Sequence, residues 1–249
     1  MIKNDDLRTS PKQRLIIIVI AIFMLISTFA LYAGIVLNYS GSSSTSSLTS
    51  EEQARYDELM AEYNDKVAAQ TKELSDKYFE TFKTYKSKVK SFNAASVTDI
   101  KTEDLKVGTG KTIEEDSTDY SAYYIGWLSN EKVFDSSFDD FNNPTSLKAP
   151  LSGENSLIEG WTRGIVGMKI GGVRLISIPS ALAYGEEGQG DEIPANSPLK
   201  FIIMAIETPE SIQPSDELTQ LYYKSIGVDL STDTEEETTE TEETETSEE

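Results

Sequence analysis

Cysteine and histidine are both absent from this 249-residue chain. Without a thiol there is no disulfide framework and no cysteine nucleophile. Without an imidazole, histidine acid–base catalysis and the ordinary zinc sites are excluded as well. Any chemistry therefore rests on carboxylates, hydroxyls, amides, Lys, Arg or shape. Bases are scarce, with 22 Lys and Arg against 43 Asp and Glu and a net charge of −21. No basic stripe occurs, which argues against a nucleic-acid partner. Apolar residues are only 38 % of the chain. That is little for a sequence that also holds a long apolar run, so other segments must be very polar.

That run is residues 15–38. Residues 15–37 carry no charge, and a helix of this length spans about 35 Å, enough for a bilayer core. It exceeds the ~7–15 residues of a signal-peptide core, so an uncleaved transmembrane anchor is expected. Lys3, Arg8, Lys12 and Arg14 precede it, and the first base after it is Arg55. The positive-inside rule then puts residues 1–14 in the cytoplasm and the rest outside a cell membrane. At the other end, residues 235–249 hold nine Glu and no base; residues 229–249 are read as a disordered acidic tail.

Between these ends the pattern changes three times. Residues 39–50 form a Ser-rich linker. Over 51–95 a long amphipathic helical arm is expected, with Ser50 as N-cap and Gln53 at the capping-box position. Tyr56, Leu59, Tyr63, Val67, Leu74, Tyr78, Phe82, Tyr85, Val89 and Phe92 recur at three- and four-residue steps. Such a stripe needs a partner: a second copy, making a homodimer through a coiled coil of irregular spacing, a folded-back half, or the following domain. Residues 104–208 then read as strands rich in β-branched and aromatic residues. One short helical pattern around Gly160–Gly167 breaks them, ended by Gly171-Gly172. This is an α+β domain. Residues 209–228 form a short extension, with a helix from Ser215 to Ser225.

The α+β region carries an ordered set of short motifs. They are Tyr124-Ile125-Gly126, Val133-Phe134-Asp135-Ser136-Ser137, Leu157-Ile158-Glu159-Gly160-Trp161, Gly167-Met168-Lys169-Ile170-Gly171-Gly172, Ile178-Pro179 with Ala183-Tyr184-Gly185, and Ile193-Pro194-Ala195-Asn196-Ser197-Pro198-Leu199-Lys200-Phe201. In this order and spacing, residues 104–208 resemble the FKBP family of peptidyl-prolyl cis-trans isomerases. The resemblance implies a curved antiparallel sheet wrapping one short helix, with a proline pocket between them. It implies Tyr124, Asp135 and Tyr184 as catalytic residues and Phe134, Leu157, Ile158, Trp161, Ile193 and Phe201 as substrate-binding residues, with Trp161 as the floor. The Ile158 N–H and the Tyr184 hydroxyl would hold the peptide carbonyls. Proline-containing polypeptides, exported or at the surface, are the implied substrates, and macrolide inhibitors are implied ligands. Rotation about an Xaa-Pro bond breaks no bond to a heavy atom, so no cofactor or metal is expected. The alternative is a low-turnover, membrane-tethered chaperone or binding module on the same fold.

Two stretches depart from the family pattern. Residues 138–144 hold no Arg near Asp135, and residues 144–156 are a few residues longer than in compact members; Phe141 and Leu147 are both candidates for the missing aromatic wall. Glu192 precedes Ile193 where many members are apolar, and a carboxylate there would favour basic residues beside the target proline.

Overall fold

The computed structural model describes residues 48–155 and 157–228. The apolar run 15–38, the linker up to residue 47 and the acidic tail from 229 lie outside the described residues. No helix among the described residues is long and apolar enough to cross a membrane. The chain divides into two compact units, one of residues 64–212 and one whose described parts are 48–63 and 213–228.

Helix α1 runs Ser50–Lys83 and contributes to both units. Its capping box lies one residue earlier than the sequence pattern suggests. The Thr49 hydroxyl accepts from the Glu52 N–H at 3.2 Å, and the Thr49 N–H donates to the Glu52 carboxylate at 2.9 Å. These reciprocal bonds satisfy donors that a helix start leaves unpaired. In the smaller unit a further helix, Asp216–Ser225, begins at Ser215, whose hydroxyl accepts from the Leu218 N–H. Arg55 grips Glu217 with two guanidinium nitrogens at 2.9 and 2.8 Å, and Lys224 meets Glu52 at 2.6 Å. Leu59, Tyr63 and Leu218 are the buried apolar residues there.

The helical pattern read to residue 95 stops as helix at Lys83 and continues as a tight turn, Thr84–Lys88. Beyond it the backbone finds partners elsewhere. The Lys90 carbonyl accepts from the Trp127 indole at 3.0 Å, the Ser91 N–H donates to Glu131 at 2.7 Å, and the Phe92 N–H donates to the Ser129 carbonyl at 3.0 Å. These bonds replace those a longer helix would have made.

The sheet has six strands: β1 Lys101–Lys106, β2 Tyr120–Trp127, β3 Val133–Ser136, β4 Leu151–Ser152, β5 Val173–Ile178 and β6 Leu199–Glu207. The order is β1-β5-β6-β2-β3, with β4 pairing β2, and every pairing is antiparallel. Strand alternation sorts the apolar residues into two cores. Tyr120, Ala122, Ile176, Ile178, Leu199, Phe201, Ile203 and Ala205 face one side, with Trp161, Ile165 and Met168. Tyr123, Ile125, Trp127, Val173, Ile202, Met204 and Ile206 face the other, where Phe82 lies fully buried and Tyr78, Phe79, Tyr85, Val89 and Phe92 pack against them. Of the three partners open to the later part of the arm stripe, it takes the following domain.

Helix α2, Glu159–Ile165, lies on the first of these cores. It ends six residues before Gly171; Gly167, at φ +78°, makes the left-handed exit, and Gly171 belongs to the turn entering β5. Gly160 and Gly164 let it approach β5. A Cβ at Gly160 would stand 2.1 Å from the Ile178 side chain, and one at Gly164 2.6 Å from that of Ile176. Buried Arg174 of β5 ties three elements together. It pairs with Asp104 of β1 at 2.6 Å and donates to the Gly164 and Val166 carbonyls at 3.0 and 2.9 Å. A cation at the end of α2 also complements its dipole.

Candidate functional site

Close packing of α2 on β5 leaves Trp161, one residue after Gly160, buried against the sheet. Its ring is the hub of an aromatic group. Tyr124 meets it edge-on at 5.5 Å and Phe201 at 5.2 Å, and Phe134 meets Phe201 edge-on at 5.6 Å. Edge-to-face pairs at these distances are attractive beyond their buried area. Gly126, directly opposite Phe201 in the ladder, makes room for two of these rings: a Cβ there would come within 2.6 Å of both Phe134 and Phe201. The indole N–H of Trp161 is buried and makes no hydrogen bond of acceptable geometry, although it lies near enough to the Tyr120 phenol to offset part of the effect of burial on that group.

The site's polar groups sit at the rim. The Tyr124 hydroxyl donates to Asp135 Oδ2. Burial first, and then this carboxylate, push the Tyr124 phenol well above the usual tyrosine range, so it stays a proton donor at any physiological pH. The other oxygen of Asp135 accepts from the Ser136 N–H at 2.7 Å. Burial and the field of Asp135 also raise the half-buried Tyr184 phenol. Among the described residues its hydroxyl makes no hydrogen bond, nor does the N–H of Ile158, the residue that opens α2. Two donors are thus left available around an apolar floor.

The structure brings the sequence-predicted residues together. Trp161, Ile193 and Phe201 are buried in one core, and Tyr124, Phe134, Leu157, Ile158 and Tyr184 pack against it. Asp135 is exposed at its edge. Ile193 is turned inward by a small ladder in which Gln189 and Ile193 exchange backbone hydrogen bonds at 2.8 and 3.1 Å. Neither candidate for the missing aromatic wall joins the site. Leu147 is buried in the opposite core, and Phe141 packs on that core as well. Glu192 is not a free carboxylate, because it pairs at the surface with Lys132 at 2.7 Å. Leu182, which packs against this core, lies in none of the sequence motifs, and Gly126 and Ala183 lie in motifs without having been assigned to the site. Gly126 is legible only once Phe134 and Phe201 are known to face each other across it.

A separate groove of about 660 Å³ runs along α1, lined by Val67, Ser75, Phe79 and Leu147 among others. None of its lining residues belongs to the aromatic cluster around Trp161. Among the described residues no group of acidic side chains is arranged to hold a metal ion.

Residues 110–206 match the family described as FKBP-type peptidyl-prolyl cis-trans isomerase. Over 111 residues the chain is 37 % identical to the FK506-binding protein of Neisseria meningitidis serogroup B, a match covering 43 % of this chain and 94 % of that protein. Over 105 residues it is 42 % identical to FK506-binding protein 4 of Gibberella zeae, covering 42 % of this chain and 20 % of that protein. The match thus spans about a fifth of the fungal relative's length. The crystal structure of AtFKBP13 aligns over 44 % of this chain and 93 % of its own, at 34 % identity and a TM-score of 0.36.

Proposed function

Since the chain belongs to the FKBP-type peptidyl-prolyl cis-trans isomerase family, we propose that it catalyses rotation about Xaa-Pro bonds at the Trp161 site. The carrying observation is the combination found there. An aromatic floor of Trp161, Phe201 and Phe134 stands beside a Tyr124–Asp135 hydrogen bond and two available donors, the Ile158 N–H and the Tyr184 hydroxyl.

The arrangement suits the reaction. An Xaa-Pro bond turns over a barrier of about 18–20 kcal/mol because rotation breaks amide resonance. The twisted amide has lost much of its charge separation and tolerates an apolar pocket better than either planar form, which is differential binding of the transition state. Fixed donors orient the peptide carbonyls at no cost in reorganisation. Asp135, exposed at the polar edge, would present its carboxylate to the rotating C=O and N. No residue forms a covalent bond.

The wider setting is part of the same proposal. The charge-free run 15–38 and the bases before it support attachment to a cell membrane with the isomerase domain outside, acting on exported or surface proteins. A homodimer through the arm would have to use surface other than the stripe of residues 78–92 that the sheet already covers.

The test is proline exchange in a short Xaa-Pro peptide, followed by NMR with the full chain. Tyr184→Phe, Asp135→Ala and Trp161→Ala run beside it, with FK506 as a competitor. Accelerated exchange, diminished by these changes in proteins that remain folded, supports the reading. Background exchange from a folded chain refutes it and leaves a binding module on this fold.

A further inference from the structure

On the face of the sheet opposite Trp161, the end of α1 closes over the segment that carries the site's carboxylate. Phe82 is fully buried and stacks on Phe138, with ring centres 5.4 Å apart and planes 29° apart; Phe79 meets Phe138 edge-on at 6.1 Å. Ser75, also buried, accepts a hydrogen bond from the Leu147 N–H at 2.8 Å. Phe138 and Leu147 face each other across an antiparallel bridge. One helix therefore holds both ends of the loop between them.

From this loop short steps lead to the site. The Lys148 N–H donates to the Ser137 carbonyl at 2.8 Å. The Phe138 N–H donates to the Ser136 hydroxyl at 3.1 Å. Ser137 and Tyr124 are joined twice: the Ser137 N–H donates to the Tyr124 carbonyl, and the Tyr124 N–H to the Ser137 hydroxyl, both at 2.9 Å. The Ser136 N–H then fixes Asp135 Oδ1 at 2.7 Å, and Tyr124 fixes Oδ2. Asp135 is exposed, so packing does not hold its carboxylate; these two bonds do. The apolar side chains of residues 138–147 that might have lined the site are turned toward α1 instead.

We infer that α1 is a positioning element of the isomerase site: through Ser75 and Phe82 it fixes residues 136–148, and with them the direction in which Asp135 meets Tyr124. The inference rests on the isomerase reading above. Its logic is that a site stays productive only while the elements behind it hold its groups to within a fraction of an ångström.

The test uses the full chain. Ser75→Ala removes the acceptor of the Leu147 N–H, and Ser75→Thr keeps a hydroxyl there. Ser75→Ala is expected to lower kcat by about three- to tenfold with KM within about twofold, the scale of coupling inside one hydrogen-bonded network. Ser75→Thr restores most of that loss. In an Asp135→Ala background, Ser75→Ala lowers kcat no further, and in the otherwise wild-type chain it shifts the NMR resonance of the Tyr124 hydroxyl proton. Phe79→Leu, which keeps apolar volume, serves as a second variant should Ser75→Ala not fold, with the same expectations. Unchanged kcat at equal folded fraction, or losses that add in the Asp135→Ala background, with Tyr124 unmoved, overturns the inference. A wild-type chain with only background exchange refutes the isomerase reading instead, and the Tyr124 resonance alone then decides whether α1 positions that pair.

Discussion

Gly126→Ala tests how tightly the aromatic group is built. The added methyl would stand 2.6 Å from Phe134 and 2.6 Å from Phe201, against ordinary carbon contacts of about 3.5–4.0 Å, so both contacts must open by roughly 1 Å. Phe201 has little freedom to move. It is buried on β6, which is flanked by β5 and β2, and it lies directly across the ladder from Gly126. Phe134 is half-buried on edge strand β3 and gives way. Overpacking of this kind costs about 1–3 kcal/mol, and replacing Gly by Ala in a strand returns about 0.5–1 kcal/mol, leaving a net loss of about 0.5–2 kcal/mol. For a unit of this size Tm should fall by roughly 2–8 °C. Loss of the Phe134 wall should lower kcat/KM roughly tenfold, equivalent to about 1.4 kcal/mol. Thermal unfolding followed by circular dichroism and peptide exchange by NMR supply the two readings. The decisive comparison is with Phe134→Ala, because without that ring only the contact with Phe201 remains, and the methyl should cost clearly less in the Phe134→Ala background than in the wild-type chain. Stability losses that add within about 0.5 kcal/mol would show that the methyl does not meet Phe134, and would refute the reasoning.

Three further outcomes are expected. Lys132→Ala unmasks Glu192 and should raise the kcat/KM ratio of Lys-flanked over Glu-flanked proline peptides by about two- to fivefold at low salt, shrinking as salt is added; a ratio unaffected by the substitution contradicts the pairing. Arg174→Met leaves the Gly164 and Val166 carbonyls without their donor and Asp104 without its partner, and should cost about 3 kcal/mol in urea unfolding, at the low end for a buried pair because Asp104 keeps contact with water. Asp139 is held below its ordinary value of 3.8, first by the Thr145 hydroxyl and then by the backbone N–H groups of Asp140 and Thr145. A depressed carboxylate stabilises above its unfolded pKa and loses that contribution as pH falls through the folded one. The amide resonances of Thr145 and Ser146 should therefore move as pH drops below about 3.8, and Asp139→Asn should abolish the acid transition.

The site was more legible in the sequence than the body that supports it. Trp161, Phe134, Phe201, Tyr124 and Tyr184 lie in short motifs whose order is itself informative, and alternation along β2 and β6 sends the expected members to one face. The opposite face also left a trace. The run Phe201–Ile206 is apolar at every position and wholly buried, whereas a strand with one wet face would alternate. That run called for a second cover, and the arm stripe called for a partner. Their meeting could not be read locally, because Phe82 and Tyr123 are brought together only by the fold. Phe141 and Leu147 misled for the same reason: their apolar character is visible in the sequence, but the side of the sheet they serve depends on α1. The end of the helix at Lys83 was hidden too, since apolar spacing of three and four continues through Val89 and Phe92 after the backbone has become extended.

The family match covers residues 110–206, yet one face of the sheet is closed by side chains between Tyr78 and Phe92. Heredity and folding therefore cut this chain in different places. The piece that recurs from protein to protein is smaller than the piece that can keep itself dry. A cleavage at the domain's apparent border would release a fragment with every family signature intact and one side of its sheet stripped, a product more prone to clump than to work. What looks like a stalk is, for its last turns, part of the wall.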